Sequence, residues 1–154
     1  MKGNVIKKAA LWGLVSVCLA VQTGPVYAET TDAGAAGIWK FEQNVWRHYD
    51  TAGKMVTGWI ETASGRYYLD PQEGTMKTGW FLTEDGSWIY LNTEPGETFG
   101  KMLTGWHWID GHCYYFESSQ GSDIGKMYMG KITPDGYHTN SQGQWAEPDE
   151  LFTS

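Results

Sequence analysis

A seven-residue phrase, Gly-Lys-Met-x-Thr-Gly-Trp, returns along this chain and excludes most ways of folding it. It stands complete at Gly53–Trp59 and Gly100–Trp106, nearly complete at Gly74–Trp80, and decayed at Gly125–Gly130. The methionines at 55, 76, 102 and 127 step by 21, 26 and 25 residues. A period in this range marks a chain of small units, each too small to bury its apolar face alone and completed only by its neighbours.

Between the phrases lie pairs of aromatic-rich runs separated by turn residues. Gly79–Leu91 is the clearest: Trp80-Phe81-Leu82 and Trp88-Ile89-Tyr90 flank Asp85-Gly86, a dipeptide suited to the positive φ of a hairpin turn. Asp110-Gly111 and Asp135-Gly136 repeat it, Ser64-Gly65 fills the role in the unit before, and Glu42-Gln43-Asn44 is the expected turn of the first. The predicted hairpins span 39–49, 59–69, 80–91, 106–116 and a degenerate 131–140. The connectors 92–100 and 117–125 are expected to bulge as loops. No helical periodicity runs over three turns. An isolated hairpin is marginal in water, so the units are expected to stack. The fold class is all-β, a β-solenoid of stacked hairpin repeats; an ordinary antiparallel barrel or sandwich does not require the repeated linker.

Residues 1–28 read as a signal peptide: Lys2, Lys7 and Lys8, an uncharged stretch from Ala9 to Val21, and Val26-Tyr27-Ala28 before Glu29. Residues 29–37 read as a flexible linker, 38–145 as the repeat domain and 146–154 as a polar tail. Removing the leader takes three lysines and no acid, leaving 8 basic against 18 acidic residues, a net charge of −10. That disfavours nucleic acid, which needs a basic surface, and suits a cationic ligand. No membrane insertion is expected after removal of the leader. Residues 29–154 hold 21 Trp, Tyr and Phe against 13 Val, Ile and Leu, so aromatic rings must supply both the packing and any recognition. They also hold one cysteine, Cys113, so no internal disulfide supports the fold.

Catalysis is not expected. Cys113 adjoins His112, but neighbours on a strand point to opposite faces. His48, His107, His112 and His138 lack metal-ligand spacing, and turn chemistry accounts for the Asp-Gly pairs without calcium. No metal and no cofactor is expected.

Gly-Trp, a Gly turn, Trp/Tyr-x-Tyr-Leu/Phe and then Gly-x-Met-x-Thr-Gly-Trp resembles the cell-wall-binding repeat of Gram-positive surface proteins, the choline-binding repeat, related to glucan-binding and clostridial toxin repeats. The resemblance covers about residues 37–145. It implies hairpins stacked in a left-handed β-solenoid, with ligand held between consecutive hairpins by two aromatics from one, one from the next, and a methionine. Choline is a quaternary ammonium with no N–H, so electron-rich ring faces hold it, at about 0.5–2 kcal/mol per contact.

Carried onto this chain, the resemblance implies a best cage of Trp80, Trp88, Met102 and Tyr115, and a second of Trp39, Trp46, Met55 and Tyr68, where His48 stands in place of the usual tyrosine. Two more are degenerate: Trp59, Met76 and Tyr90 with Arg66 where a tryptophan is expected, and Trp106 and Met127, with Tyr137, around Cys113. Arg66→Trp is then expected to add a site or strengthen binding. Trp108 and Tyr114 are read as packing residues. The implied function is that of a secreted, non-catalytic wall-binding protein, attached non-covalently through choline on teichoic acid. The alternatives are a glucan or other wall polysaccharide, with the rings as sugar platforms, and an adaptor for a protein partner through loops 92–100 and 117–125. Modules of this family often dimerise, so a homodimer is also considered.

Overall fold

The computed structural model describes residues 31–32 and 37–147. The leader expected at 1–28 and residues 148–154 of the expected tail lie outside them. The described residues are all-β, eleven strands in hairpins and no helix: β1 (Thr31–Asp32), β2 (Gly37–Glu42), β3 (Val45–Asp50), β4 (Gly58–Thr62), β5 (Gly65–Leu69), β6 (Gly79–Leu82), β7 (Trp88–Leu91), β8 (Gly105–Ile109), β9 (His112–Phe116), β10 (His138–Thr139) and β11 (Trp145–Ala146). Each sheet is a small antiparallel unit: β1-β2-β3, β4-β5, β6-β7, β8-β9 and β10-β11.

The turns follow their residues. Gln43 and Asn44, and Asp110 and Gly111, all have positive φ, and each pair closes a two-residue turn between Glu42 and Val45 or Ile109 and His112. In the second hairpin Thr62 pairs with Gly65, so the turn is Ala63-Ser64, one residue earlier than expected. Asp85-Gly86 lies in a longer loop between Leu82 and Trp88, which the Thr83 hydroxyl ties by donating to the Ser87 carbonyl at 2.8 Å. The fifth hairpin forms within the expected 131–140, Thr139 N donating to Lys131 O at 2.9 Å and Gly130 N to Asn140 O at 2.7 Å, and its second strand carries a further pairing that was not expected. Ile132 bridges to His138, and His138–Thr139 then pair with Trp145–Ala146. Ala146, assigned to the tail from sequence, is therefore a buried strand residue. Thr31–Asp32, assigned to the linker, pair with Ile38 and Gly37.

The linkers join hairpin to hairpin by backbone hydrogen bonds that skip one unit. Met76 N donates to Trp46 O, Met102 N to Arg66 O and Met127 N to Trp88 O, at 2.7–2.8 Å. Each methionine also bridges to the end of the hairpin just before it: Leu69 with Met76, Leu91 with Met102, Phe116 with Met127. Each of these three linkers thus clips two hairpins together, which is why the phrase must recur. The methionines form a column. A side-chain carbon placed on Gly74, Gly100, Gly125 or Gly143 would collide with Met55, Met76, Met102 or Met127 respectively, so glycine is required where one linker lies on the methionine of the previous one.

Successive strand residues point to opposite faces, giving each hairpin a tryptophan face and a second face. On the tryptophan face, Trp39 pairs with His48, Trp59 with Tyr68, Trp80 with Tyr90 and Trp106 with Tyr115. On the second face, Ile60 pairs with Tyr67, Phe81 with Ile89 and His107 with Tyr114. The tryptophan face of one hairpin meets the second face of the next. Leu69, Leu91 and Phe116 are fully buried at these interfaces, each stabilising the stack by about 1.5–3 kcal/mol.

Candidate functional site

At the third interface, Trp80 and Trp88 stand at 89° with ring centroids 6.3 Å apart. The next hairpin adds Tyr114, 4.9 Å from Trp80 and inclined by 73°. Three rings from two hairpins therefore form the walls of a box. Trp80 is 37% exposed, so the box opens to solvent. Trp88 comes forward because it pairs across the strand with Leu82 on the same face as Trp80.

Two members expected in this cage lie elsewhere. Tyr115 faces Trp106 of its own hairpin at 5.2 Å and Tyr128 at 5.0 Å, and its hydroxyl lies 3.1 Å from that of Ser118. It is on the tryptophan face of the fourth hairpin, turned from Trp80, whereas Tyr114 is on the face that meets Trp80. Met102 packs with Ile89 and Leu91 on the opposite side of the third hairpin; the methionine whose backbone reaches Trp88 is Met127. The interface takes its tyrosine one residue earlier and its methionine one linker later than sequence reasoning placed them. Tyr114, read as packing, was legible only through its equivalence to Tyr67 in the second hairpin.

The same displacement holds at the first interface. Trp39 and Trp46 meet at 85° and 6.5 Å, and the tyrosine beside Trp39 is Tyr67, at 5.1 Å, not Tyr68. Met76, not Met55, joins this group. Trp39 is only 7% exposed, its ring covered by His48 at 4.9 Å and Tyr67. What stays open is the outer side of Trp46, where Phe41, Met76 and Phe99 line a pocket of about 320 Å³.

At the second interface, Arg66 lies over the Trp59 ring at 5.7 Å and is paired with Glu61 at 3.5 Å. Tyr90 is not there: it packs on Trp80 at 5.0 Å with its hydroxyl 3.1 Å from that of Thr93. The slot held by Tyr67 and Tyr114 contains Ile89, and Phe81 fills the gap against Tyr68 at 4.4 Å. Met76 serves the first interface, and Met102 the second.

At the fourth interface Trp106 meets Tyr137 at 5.9 Å and 86°. Met127 lies in the cluster of Tyr90, Ile109 and Phe116 instead. Trp108, Cys113 and Trp145 complete the lining of a pocket of about 280 Å³. Asp135 accepts from the Trp106 indole at 2.8 Å and from the Thr133 hydroxyl at 2.6 Å, and these bonds hold its carboxyl below the usual range, Thr133 contributing most. Burial raises the Cys113 thiol, and the His107 ring lies 3.0 Å from the Thr104 carbonyl. Among the described residues no three His, Cys, Asp or Glu side chains gather as a metal site, and no helix is long and apolar enough to cross a membrane.

Residues 104–121 match the family model of the cell wall binding repeat of choline-binding proteins. That segment is similar to a cell wall binding repeat. It holds β8, β9 and the tyrosine that closes the third interface. Among solved structures, the chain is similar to choline binding protein F of Streptococcus pneumoniae (26% identity, 78% of this chain and 47% of that one, TM-score 0.46). It is similar to CbpJ of the same organism (32%, 70% and 40%, TM-score 0.34). The modular autolysin LytC, also from Streptococcus pneumoniae, matches at 22% identity over 70% of this chain and 22% of that one, with a TM-score of 0.50, a likeness of fold. The chain spans less than half the length of the first two. No curated protein matches it.

Proposed function

We propose that this chain is a secreted, non-catalytic protein that holds on to the bacterial cell wall by binding choline on teichoic acid. The observation that carries the reading is the open box of Trp80, Trp88 and Tyr114 at near right angles. A trimethylammonium group presents a diffuse positive charge and no hydrogen-bond donor, so it is bound by several ring faces at once, each worth about 0.5–2 kcal/mol. The chain's acidity adds long-range attraction for a cation. Attachment through such boxes needs neither a lipid nor a covalent link, and several weak sites on one chain gain avidity on a repeating polymer.

The test is a choline titration followed by tryptophan fluorescence, with tetramethylammonium as second ligand and sodium chloride as control. Saturation by both ammonium ions but not by salt is expected. Trp88→Ala is expected to weaken binding about tenfold or more while leaving the far-ultraviolet spectrum intact. A folded protein that ignores both ammonium ions, or binds glucan instead, sinks the reading.

A further inference from the structure

Trp88 follows a five-residue loop, Thr83–Ser87, where the first, second and fourth hairpins turn in two residues. The loop is organised around Asp85. One carboxylate oxygen accepts from the Thr83 hydroxyl at 2.5 Å and from the Ser87 N–H at 3.1 Å, which leaves the other for a partner outside the loop. The turn Thr133–Tyr137 is built in the same way, and there the outward oxygen of Asp135 takes the Trp106 indole N–H. In Thr83–Ser87 the outward oxygen takes the ammonium group of Lys126, at 2.7 Å. Asp123 holds Lys126 from its other side, also at 2.7 Å. The Lys126 bond, ahead of that from Thr83, keeps the Asp85 carboxyl well below the usual carboxylate range.

Lys126 precedes Met127, whose N–H donates to the Trp88 carbonyl at 2.7 Å. One linker therefore grips the start of β7 twice, at the Trp88 backbone and, through Asp85 and Ser87, at the residue before it. The second interface has only the first grip. Met102 N donates to Arg66 O and the Lys101 stem lies over Gly65, but the turn there is Ala63-Ser64, which carries no carboxylate. Among the described residues Lys101 forms no ion pair. The clamp stands where the indole wall stands, and is missing where Arg66 replaces the indole. We propose that Lys126 is a positioning residue for the box: held between Asp85 and Asp123, it fixes the loop that carries Trp88 and so the angle of that indole to Trp80. That this tunes choline binding rests on the reading above; the hold on the indole does not. Isolated exposed ion pairs contribute little, but here one ammonium bridges two carboxylates from different units, in short charge-assisted bonds. A wall already in place does not have to be ordered by the ligand, and that saving appears as affinity.

The test removes the clamp without changing the net charge beside the box. Lys126→Met combined with Asp123→Asn takes away one charge of each sign, so the long-range attraction for a cation is preserved. Lys77→Met combined with Asp70→Asn breaks an ion pair of 2.8 Å in another linker and is the control for lost stability. Two readouts are taken on the folded full chain. One is the half-saturating concentration of choline, by tryptophan fluorescence. The other is the Trp88 indole N–H resonance in a heteronuclear NMR spectrum, identified by its absence from Trp88→Phe. The clamp variant is expected to raise the half-saturating concentration about threefold and to broaden or split the Trp88 resonance. Lys126→Arg, which still reaches both carboxylates, and the control are expected to match the parent in both readouts. A sharp, unmoved resonance in the clamp variant, a parent-like affinity, or a control that moves both readouts equally would each overturn the proposal. If the parent itself ignores choline, the choline reading falls, and the resonance alone decides whether Lys126 holds the indole.

Discussion

The second and third interfaces are built on the same backbone and differ in what they leave open. Met102 reaches Arg66 as Met127 reaches Trp88, and Trp59 leans on Tyr68 as Trp80 leans on Tyr90, at 5.0 Å in each case. Yet at the second the chain lays its own guanidinium near Trp59, and Ile89 with Phe81 closes the space that Tyr114 frames at the third. At the second interface the open ring, Trp59 at 43% exposure, is attended by the chain's own guanidinium; at the third, Trp80 at 37% exposure is flanked by the rings of Trp88 and Tyr114. The stack needs only the tyrosine or histidine that backs each tryptophan. The residues that turn an interface into a box, Trp88 and Tyr114, are additional to stacking, and a repeat can lose them without losing the fold.

The comparison can be broken most sharply in the column that both interfaces share. Gly125→Ala places a side-chain carbon against Met102 at a φ of +81°, while Gly105→Ala, at a φ of +79°, meets nothing within 4 Å. Both carry backbone strain of about 1–2 kcal/mol, and Gly125→Ala is expected to lose more stability than Gly105→Ala by a further 1 kcal/mol or so, read as the difference in denaturant midpoints. Equal losses would show that linker contact does not hold the stack.

A second prediction concerns ligand stoichiometry. With Ile89 in the tyrosine slot, Arg66→Trp alone is now expected to add no site, in contrast to the expectation from sequence. Arg66→Trp combined with Ile89→Tyr is expected to add one, measured by calorimetry. Because Ile89 is buried at 2% exposure, a thermal melt of the double variant must accompany the titration to show that it is folded. Arg66→Ala is expected to change choline affinity by less than about twofold, since a partly exposed arginine near one ring contributes little at a distant box.

The smallest effect is electrostatic. The Tyr128 hydroxyl donates to Glu117 at 2.6 Å and, with backbone N–H donors at Ser119 and Ser118, holds its carboxyl at about 2. Lys77, followed by the backbone N–H groups of Glu73 and Gln72, holds Asp70 at about 2. Both groups sit lower in the folded chain than in the unfolded one, so their stabilisation is fully present above the ordinary carboxylate range and is lost as pH falls toward about 2. Denaturation midpoints measured at pH 6 and pH 3 are expected to fall modestly, and Glu117→Gln to flatten part of that dependence. An unchanged slope in Glu117→Gln would remove the Tyr128 bond from the account.

Much of this was legible from residue order. The Gly-x-Met-x-Thr-Gly-Trp period located the hairpins, and alternation correctly placed Trp88 with Tyr90 and apart from Ile89. The hairpin at 131–140 was legible too; its further pairing with Trp145–Ala146 was not, because Thr139 and Trp145 are too far from the pattern for the period to register, although Asn140 closes its linker turn as Asp50 and Asp70 close theirs. Those recurring turn residues at 50, 70, 92, 117 and 140, each accepting backbone N–H bonds within its own linker, were a second period that the methionine spacing concealed.

The sequence by itself determined which segments form hairpins, where they turn to within a residue or so, and which rings share a face, because the two-residue alternation of a strand and the positive-φ demand of a turn are local. Only the tertiary structure decided which face of a hairpin meets its predecessor. Alternation defines two faces and is silent on which one is inward. That choice rests on bonds between residues far apart in the chain, Met127 to Trp88 among them, and it moved the tyrosine of the first and third interfaces by one residue and the methionine of the first three by one linker.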